Sequence, residues 1–468
     1  MRTGRIAFLC LAALQLSASA LLLGMNGCGG SKSSVIVPPP PPPPPPGTIK
    51  HVVVIFQENR TPDNLFHDPV LIANGADIAS SGVNSSGQTI PLTPESLGVD
   101  YDLGHTHPSF EAMYDGGKMD GADKVQVSCY GTSCPANAQF MYVQASDVGP
   151  YFQLAEQYTF GDRMFQTNEG PSFPAHQFIL AGTSAPTATS NLFAAENTQR
   201  GTGCAAPAGA TVSLIDPNGN EAGSMYPCFE HPTLSDELDA RGVSWRYYTP
   251  SPISIWTGPN AIQHICQAQT QNGQLVCTGN DWNNVIIPPK QVLNDIANDQ
   301  LAGVSWVIPA GQNSDHATSP TWTGGPSWVA SIVNAIGSSA YWSDTAIIIA
   351  WDDWGGWYDH VPPPKVITDG SSWGSGYVYG FRVPLIVVSP YAKASYISHV
   401  NHDFGSILNF IEETFGLPSL GYADAHADDL SDCFNFSQTP LRFQTIAAPM
   451  SAEHFINDNT PQADPDDD

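Results

Sequence analysis

The chain has 468 residues, of which 41% are hydrophobic and 13% are charged, and its formal net charge is −28. This apolar content is too high for a disordered chain and indicates a folded body with a large core. The 16 Lys and Arg residues against 44 Asp and Glu residues argue against nucleic-acid binding, because few basic side chains are present to release counterions. An anionic substrate would need another source of positive charge, and a bound metal ion is the obvious candidate.

The first 28 residues have the pattern of an export signal. Arg2 and Arg5 form a basic start, an apolar stretch follows, and a small residue precedes Cys28, as at a bacterial lipoprotein cleavage site. We therefore predict a signal peptide of lipoprotein type over residues 1–28. The protein is then exported to the periplasm or outer surface and touches a membrane only through a lipid anchor at Cys28. A plain secretory peptide with an incidental cysteine is the alternative.

The rest of the chain divides by composition into a linker, a folded domain and a tail. Residues 29–48 are rich in Ser and Pro and include nine consecutive prolines, which form a stiff spacer. We predict the folded domain over residues 49–450 and a solvated acidic tail over residues 451–468. No segment after the signal has the ~18 uninterrupted apolar residues that a membrane span requires.

The cysteines agree with export. Six of the seven that follow Cys28 fall into local pairs within stretches rich in Gly, Asn, Ser and Pro, which are 129/134, 204/228 and 266/277. In an oxidising compartment this pattern predicts three disulfides, with Cys433 left over. A zinc cluster is the alternative, but no pair has the C-x₂-C spacing with a matching partner.

Continuous apolar runs alternate with helical patterns along the domain. The runs predict buried strands at His51–Phe56, Val304–Pro309, Thr345–Trp351 and Val383–Ser389. The helical patterns lie at Val148–Gln157, Thr233–Arg241, Lys290–Asp299, Ser327–Ile336 and Phe404–Phe415. This alternation predicts an α/β fold, with a mainly parallel central sheet flanked by helices on both faces. Ligands of such sheets bind beyond the carboxyl ends of the strands.

Polar side chains follow three of the predicted strands. Glu58 and Asn59 follow the first, Asn313–His316 follow the second, and Asp352 and Asp353 follow the third. Two adjacent carboxylates repel each other unless a cation or buried hydrogen bonds hold them. Oxygen-rich ligands with few sulfurs suit a divalent metal ion. For any single Asp, a helix cap or a turn is the alternative.

A further candidate is Ser172, which lies between Pro171 and Phe173-Pro174 in a segment whose glycine and prolines predict a tight loop. A serine becomes a nucleophile when a base or a metal ion activates it. The G-x-S-x-G signature of common serine hydrolases is absent here, and a plain turn residue is the alternative.

Together these motifs make the chain resemble the bacterial phosphoesterase family that includes acid phosphatases and phosphocholine-preferring phospholipases C, within the alkaline-phosphatase-like superfamily. The motifs that carry the resemblance are Gln57–Arg60, Gly170–Ser172, Asn313–His316, Trp351–Pro364 and Arg382–Lys393. The resemblance extends over roughly residues 49–436 and implies an alkaline-phosphatase-like fold. Phe173 and Ala175 depart from the family pattern by removing polar groups after the serine, which bears on substrate preference.

The resemblance also implies roles for single residues. One divalent metal ion would be held by Glu58, Asn59, Ser172, Asp352 and Asp353. Ser172 would be the nucleophile and would form a phosphoseryl intermediate. The other catalytic candidates are His105, Asp315, His316 and His360, and for His360 a supporting role is an equal alternative. Four further histidines are weaker candidates, namely His107, His176, His399 and His402.

The predicted function is metal-dependent, acid-phosphatase-like hydrolysis of a phosphoester small molecule or a phospholipid headgroup. One alternative is a phospholipase C that cleaves phosphocholine-type diesters. A choline group would require an aromatic cage, for which the candidates are Trp351, Trp354, Trp357 and Tyr358, although a core position is favoured for all four. The alternative from another class is a catalytically silent, surface-anchored binding protein, against which the intact set of site residues argues.

Overall fold

The computed structural model describes residues 45, 47–131, 133–366 and 378–463. The predicted signal peptide, the lipid anchor at Cys28 and nearly all of the linker lie outside these residues. Within them, nine strands form the central sheet: β1 His51–Gln57, β2 Thr159–Phe165, β3 Trp245–Tyr248, β4 Val285–Ile286, β5 Val304–Val307, β6 Thr345–Trp351, β7 Arg382–Val388, β8 Tyr396–Ser398 and β9 His402–Asp403. The order across the sheet is β4-β3-β5-β1-β6-β7-β2-β8, and β9 also pairs with β2.

The predicted mainly parallel α/β sheet is confirmed. β1 lies at its centre and pairs in parallel with β5 on one side and β6 on the other. β6 and β7 are buried along their whole length, as expected for apolar strands covered on both faces. The four predicted strands are present within a few residues of their expected bounds. Because β1, β5 and β6 run in the same direction, their carboxyl ends lie side by side at one edge of the sheet.

One strand runs against this direction. β7 pairs antiparallel with both β6 and β2. Its amino end, at Arg382, therefore lies at the same edge as the carboxyl ends of β1 and β6, and its carboxyl end lies at the opposite edge. A hydrophobic run does not reveal strand direction, so this feature was not available from the sequence.

The longer helices are α1 His107–Tyr114, α2 Ala145–Gln157, α3 Ser172–Ala181, α4 Leu234–Arg241, α5 Gln291–Ala297, α6 Gly325–Gly337 and α7 Phe404–Phe415. They pack in two groups that flank the sheet. α2 and α5 contact α6, whereas α4 and α7 contact α3. The five predicted helices are confirmed, and α1 and α3 are additional. None of the helices described is both long and apolar enough to cross a membrane.

The segment that begins at Ser172 differs from the predicted tight loop. Ser172 is the first residue of α3, and Pro171 occupies the cap position before it. Pro174 lies in the first turn, where the missing N–H of proline breaks no intrahelical hydrogen bond. The prolines therefore start this helix, and they place Ser172 at its amino end.

The remaining strands and short helices lie outside the central sheet. They include antiparallel strand pairs at Ser81–Val83 with Thr89–Pro91, Tyr101–Leu103 with Val127–Cys129, and Gln269–Gln271 with Gln274–Val276. Phe193–Ala194, Val212–Ile215 and Glu221–Met225 form a three-stranded sheet, and Thr93–Glu95 pairs with Met141–Val143. Short helices span Pro62–Leu65, Pro69–Ala73 and Ala452–Asn457.

The predicted disulfides are confirmed. Cys129 is bonded to Cys134, Cys204 to Cys228, and Cys266 to Cys277. Cys433 is free and buried, as predicted.

The start of the predicted acidic tail needs correction. Phe455, on the short helix Ala452–Asn457, is 2% exposed, and its ring centroid lies 5.3 Å from that of Trp328 on α6. Farther along, the Gly311 N–H donates to the Ala463 carbonyl oxygen at 3.2 Å. An aromatic anchor and backbone hydrogen bonds thus hold this segment to the body. The last residues, 464–468, lie outside those described.

Candidate active site

Five of the predicted site residues meet at the edge of the sheet where β1 and β6 end. Glu58 and Asn59 directly follow β1, Asp352 and Asp353 directly follow β6, and Ser172 begins α3. All five are at most 1% exposed. The parallel pairing of β1 with β6 brings the two pairs of residues together, because the Asp352 N–H donates to the Gln57 carbonyl oxygen at 2.9 Å.

The Ser172 hydroxyl lies between two carboxylates. Its Oγ is 3.4 Å from Glu58 Oε2 and 3.4 Å from Asp353 Oδ2. Asp352 Oδ1 accepts hydrogen bonds from the Asn59 N–H at 2.9 Å and the Asp353 N–H at 2.7 Å. A serine hydroxyl between two buried carboxylates, with a third directly preceding one of them in the chain, is far from the environment of an ordinary turn residue.

Asn59 is held in one orientation by its neighbours. Its φ of +62° is in the left-handed region, and a Cβ at Gly355 would lie 2.4 Å from its carbonyl oxygen. His105 Nδ1 lies 2.8 Å from the Leu103 carbonyl oxygen, so this nitrogen carries the proton. His105 Nε2 then accepts from Asn59 Nδ2 at 3.3 Å. The amide oxygen of Asn59 consequently faces away from His105.

Two buried oxygens at this site accept no hydrogen bond from the described residues, namely Asn59 Oδ1 and Asp352 Oδ2. Buried acceptors without partners are rare in native proteins and call for an ion or a ligand. Burial and the negative charge of Asp352 also raise the pKa of Glu58 and the pKa of Asp353 well above the usual range. A divalent cation would satisfy the free oxygens and offset this repulsion, so these residues fit a metal ion.

His176 also belongs to this group, although the sequence made it only a weak candidate. Its Nδ1 lies 3.2 Å from the Tyr247 hydroxyl, which itself donates to the Trp256 carbonyl oxygen at 2.9 Å. Nδ1 is therefore assigned the proton, which makes Nε2 and Glu58 Oε1 two acceptors 3.2 Å apart, a repulsive contact that a cation bound to both would relieve.

The ring of His176 is suited to binding a metal ion. Burial lowers the pKa of His176 to about 4, so the imidazole is neutral near pH 7. Ligand atoms of Glu58, His176 and Asp352 all lie within 4.8 Å of one another. Helical spacing was the sequence pattern that could have identified His176, since Ser172 and His176 are four residues apart and share a face of α3.

His105 and His316 adjoin the carboxylates. Their ring centroids are 6.0 Å apart, and the positive charge that each ring can carry acts to lower the pKa of Asp353 against the effect of burial. His316 Nδ1 contacts the Ala317 carbonyl oxygen, which leaves Nε2 as the nitrogen on the other side of the ring. Trp256 and Trp322 flank this ring, with centroid distances of 6.2 Å and 6.3 Å.

Asp315 is engaged elsewhere. Its Oδ2 accepts from the Tyr151 hydroxyl at 2.6 Å and from Trp351 Nε1 at 3.1 Å. Burial raises the pKa of Asp315 to about 6. No hydrogen bond among the described residues joins its side chain to Ser172 or to the other carboxylates, so its place at the phosphoryl group stays a prediction.

His360 belongs to a second group, with Asp63, Asp359 and Arg382. His360 Nδ1 lies 2.7 Å from Asp63 Oδ2, and Arg382 Nε lies 3.0 Å from Asp359 Oδ1. This group also has the spacing of a metal site, but the Arg382 guanidinium already supplies the positive charge. No described contact joins His360 to Ser172, so the supporting alternative fits its position better than direct catalysis does.

Replacing His360 with Gln should reduce stability in a pH-dependent way. Burial opposes the charged ring, but hydrogen bonding and the negative charge of Asp63 outweigh it and raise the pKa of His360 to about 9. A raised pKa stabilises the fold fully below the unfolded value near 6.5, and that contribution is lost as the pH rises through 9. We expect the variant to lose about 1–3 kcal/mol of unfolding free energy at pH 6.5 and much less at pH 10, as measured by urea denaturation.

His399→Gln is the matched control for this experiment. His399 also contacts an aspartate, Asp162, but its side chain is 55% exposed, so solvent screens the pair and the loss should be under ~1 kcal/mol at either pH. An equal loss at pH 6.5 and pH 10 for His360→Gln would contradict the charge argument.

Several known proteins are similar in sequence to this chain. The family model described as the Phosphoesterase family matches residues 49–418. Phospholipase C B of Mycobacterium tuberculosis is 25% identical over 440 residues, which cover 84% of this chain and 78% of that protein. Non-hemolytic phospholipase C of Pseudomonas aeruginosa is 24% identical over 436 residues, which cover 83% of this chain and 57% of that protein. Among solved structures, a Vibrio parahaemolyticus protein in the alkaline phosphatase superfamily aligns with a TM-score of 0.36 and 9% identity, covering 82% of this chain and 72% of that one.

Proposed function

Because the chain belongs to the Phosphoesterase family and is a phosphoric ester hydrolase, we propose that it acts through Ser172 as a nucleophile and forms a phosphoseryl intermediate. The observation that carries this proposal is the position of Ser172 Oγ, 3.4 Å from a carboxylate oxygen on each side, at the edge where β1 and β6 end. The amino end of α3 adds N–H groups that favour negative charge on the serine oxygen and on the phosphoryl group.

One divalent metal ion is part of the proposal. Glu58, Asn59, Asp352, Asp353 and Ser172 would hold it, and His176 adds a neutral nitrogen ligand. When bound, the ion supplies positive charge that favours the deprotonated serine and offsets the charge of the phosphoryl oxygens. His105 is then a positioning residue, because its hydrogen bond to Asn59 Nδ2 fixes the orientation of the amide and leaves Oδ1 available to the ion.

The reaction then proceeds in two steps. Ser172 gives its hydroxyl proton to a carboxylate oxygen 3.4 Å away, Glu58 Oε2 or Asp353 Oδ2, and its Oγ attacks phosphorus. The bond between phosphorus and the leaving alcohol breaks, and the alcohol oxygen takes up a proton from the protonated His316 ring, whose Nε2 is the proposed donor. Water then gives a proton to the now neutral His316 ring and attacks phosphorus, and the bond to Ser172 Oγ breaks. The serine oxygen regains its proton from the carboxyl group, and inorganic phosphate or a phosphomonoester is released. Water rather than a second alcohol is the acceptor because the family reaction is hydrolysis.

The charges around the site favour a substrate with one negative charge. Among the described residues, no Lys or Arg side chain hydrogen-bonds to Glu58, Asp352 or Asp353, and residues 367–377 contain neither residue type. Arg60 is the nearest arginine in sequence. Its guanidinium donates hydrogen bonds elsewhere, to the carbonyl oxygens of Asp315 and Leu97 and to Asn64 Oδ1. One divalent ion does not neutralise even the three carboxylates of the site. The additional charge of a dianionic phosphate would therefore be poorly compensated.

Two substrate classes carry a single charge: a phosphodiester, as cleaved by a phospholipase C, and a monoester in its protonated form. The relatives that are phospholipases C favour the diester as the second candidate function. The four candidates for an aromatic cage do not support it, because Trp351, Trp354, Trp357 and Tyr358 are at most 5% exposed, in line with the core position favoured from the sequence.

The ratio of kcat/KM for two substrates tests whether the site prefers a substrate with one negative charge. We expect kcat/KM for p-nitrophenyl phosphate, divided by that for p-nitrophenyl phosphorylcholine, to fall about tenfold per pH unit above pH ~6. The monoester loses its second proton near that pH, whereas the diester keeps one charge throughout. Titration of groups on the enzyme cancels in the ratio. A ratio that stays constant from pH 5 to pH 8 would contradict the charge argument, and turnover of neither ester would contradict the proposed reaction.

Export remains a proposal. It is supported by the three disulfides, which form in oxidising compartments, and by the composition of residues 1–28. Anchoring by a lipid at Cys28 is proposed on the same sequence pattern.

A further inference from the structure

Asn197 lies against the amino end of α3, next to the proposed nucleophile. Its Oδ1 accepts a hydrogen bond from the Phe173 N–H at 2.9 Å, and Phe173 directly follows Ser172. The residue is 5% exposed. Its Nδ2 donates no hydrogen bond to the described residues. A buried amide group beside Ser172 is therefore half satisfied.

The orientation of this amide is determined by its partner. Only an oxygen can accept from a backbone N–H, so the end of the Asn197 side chain at Phe173 is Oδ1, and the other end is the NH₂ group. The oxygen and nitrogen of one amide are only about 2.3 Å apart, so Nδ2 lies close to the first turn of α3. This donor therefore lies within about 5 Å of the Phe173 nitrogen, the backbone atom that follows Ser172.

The loop that carries Asn197 is fixed against the segment before Ser172. A Cβ at Gly170 would lie 2.0 Å from the Ala195 carbonyl oxygen, so the two backbones are in close contact. His107, the first residue of α1, links them further. Its N–H donates to Glu196 Oε1 at 3.0 Å, and its Nδ1 lies 3.0 Å from the Glu169 carbonyl oxygen. The position of Asn197 relative to Ser172 is thus maintained by contacts on both sides.

A buried hydrogen-bond donor without a partner lowers the stability of the fold, and such groups often bind a ligand. We propose that Asn197 Nδ2 donates a hydrogen bond to a non-bridging phosphoryl oxygen of the substrate at Ser172. This inference rests on the proposed function, since it takes Ser172 as the place where phosphorus binds. A neutral amide donor also fits a site whose carboxylates lack basic side-chain partners, and it can stabilise the charge that develops on the phosphoryl group during attack.

Two substitutions separate this role from helix capping. Asn197→Asp keeps an oxygen acceptor for the Phe173 N–H and removes the NH₂ donor. Asn197→Ala removes both. Binding of inorganic phosphate to the metal-loaded enzyme is measured by calorimetry at about pH 5.5, where phosphate carries one negative charge. The melting temperature and the metal content are measured alongside it. We expect both variants to bind phosphate about 10- to 100-fold more weakly than the wild type with unchanged metal content, and only Asn197→Ala to lose melting temperature.

Several results would overturn the inference. A variant of either kind that binds phosphate as tightly as the wild type would do so, as would a wild type that binds no phosphate. Weak binding by Asn197→Asp with normal binding by Asn197→Ala would assign the effect to the added charge and not to a lost hydrogen bond. Failure of the proposed nucleophile is seen separately, because Ser172→Ala would then keep its turnover whatever the phosphate affinities of the Asn197 variants are.

Discussion

Ser172→Ala is expected to lower kcat by at least about 10³-fold while the protein stays folded and keeps its metal ion. The substitution removes the attacking oxygen, and a nucleophile acts as a unit with the groups that activate it, so its loss removes most of the catalysis. Stability should change by no more than about 1 kcal/mol, because only one hydroxyl with long contacts of 3.4 Å is removed. Turnover of p-nitrophenyl phosphorylcholine measures the effect, and mass spectrometry of acid-quenched wild type should detect phosphate on the peptide that contains Ser172.

Ser184→Ala is the matched control for that variant. Ser184 is also fully buried, lies just after α3, and donates to the Ala194 carbonyl oxygen at 3.1 Å. Its removal costs a similar amount of stability without touching the proposed nucleophile, so kcat should be unchanged. If Ser172→Ala keeps more than about a tenth of wild-type turnover, which is a deficit below ~1.4 kcal/mol, Ser172 is not the nucleophile.

Asp352→Asn is expected to lower both bound metal and turnover, the latter by at least about 10²-fold. Asp352 uses Oδ1 for two backbone N–H groups, while Oδ2 has no partner among the described residues and is the oxygen available to an ion. Replacing it with an amide removes one negative charge at this position. Elemental analysis after dialysis measures the occupancy. Glu58→Gln should have the same effect, and the double variant should retain almost no metal.

Asp359→Asn tests which carboxylate group holds the ion. Asp359 belongs to the second group that has the spacing of a metal site, but Arg382 already lies 3.0 Å from it. This variant should lose stability and keep its metal. Two results would show that the ion binds away from Ser172. One is full metal occupancy in the Glu58→Gln, Asp352→Asn double variant, and the other is loss of the ion in Asp359→Asn alone.

The sequence predicted the edge of the sheet where the site lies because strand ends are local features. Glu58 and Asp352 each follow a run of buried β-branched residues, and parallel strands bring such positions together. Ser172 depended on the family motif, since a serine beside prolines has no distinctive local pattern. His176 was underrated because the segment was interpreted as a loop, and only in a helix do positions 172 and 176 share a face.

Other features depend on contacts between distant parts of the chain, which no local pattern contains. His360 follows the same strand as Asp352, yet it pairs with Asp63, nearly three hundred residues earlier in the chain. The direction of β7 likewise depends on the order of strands in the sheet. Asn197 lies in a polar stretch of sequence that is typical of an exposed loop. Its burial follows only from the packing of that loop on Gly170.

The pairing of β1 with β5 and β6 also determines when the site can exist during synthesis. Asn59 and Asp352 share a hydrogen bond across 293 residues of chain. At translation rates of about 5–20 residues per second, the later strand emerges roughly 15–60 s after the first, and pairing over such distances is slow. A nascent chain therefore carries only some of the residues proposed to hold the ion for most of its synthesis. The proposed site would therefore take its ion in the compartment where folding is completed, from the metals available there.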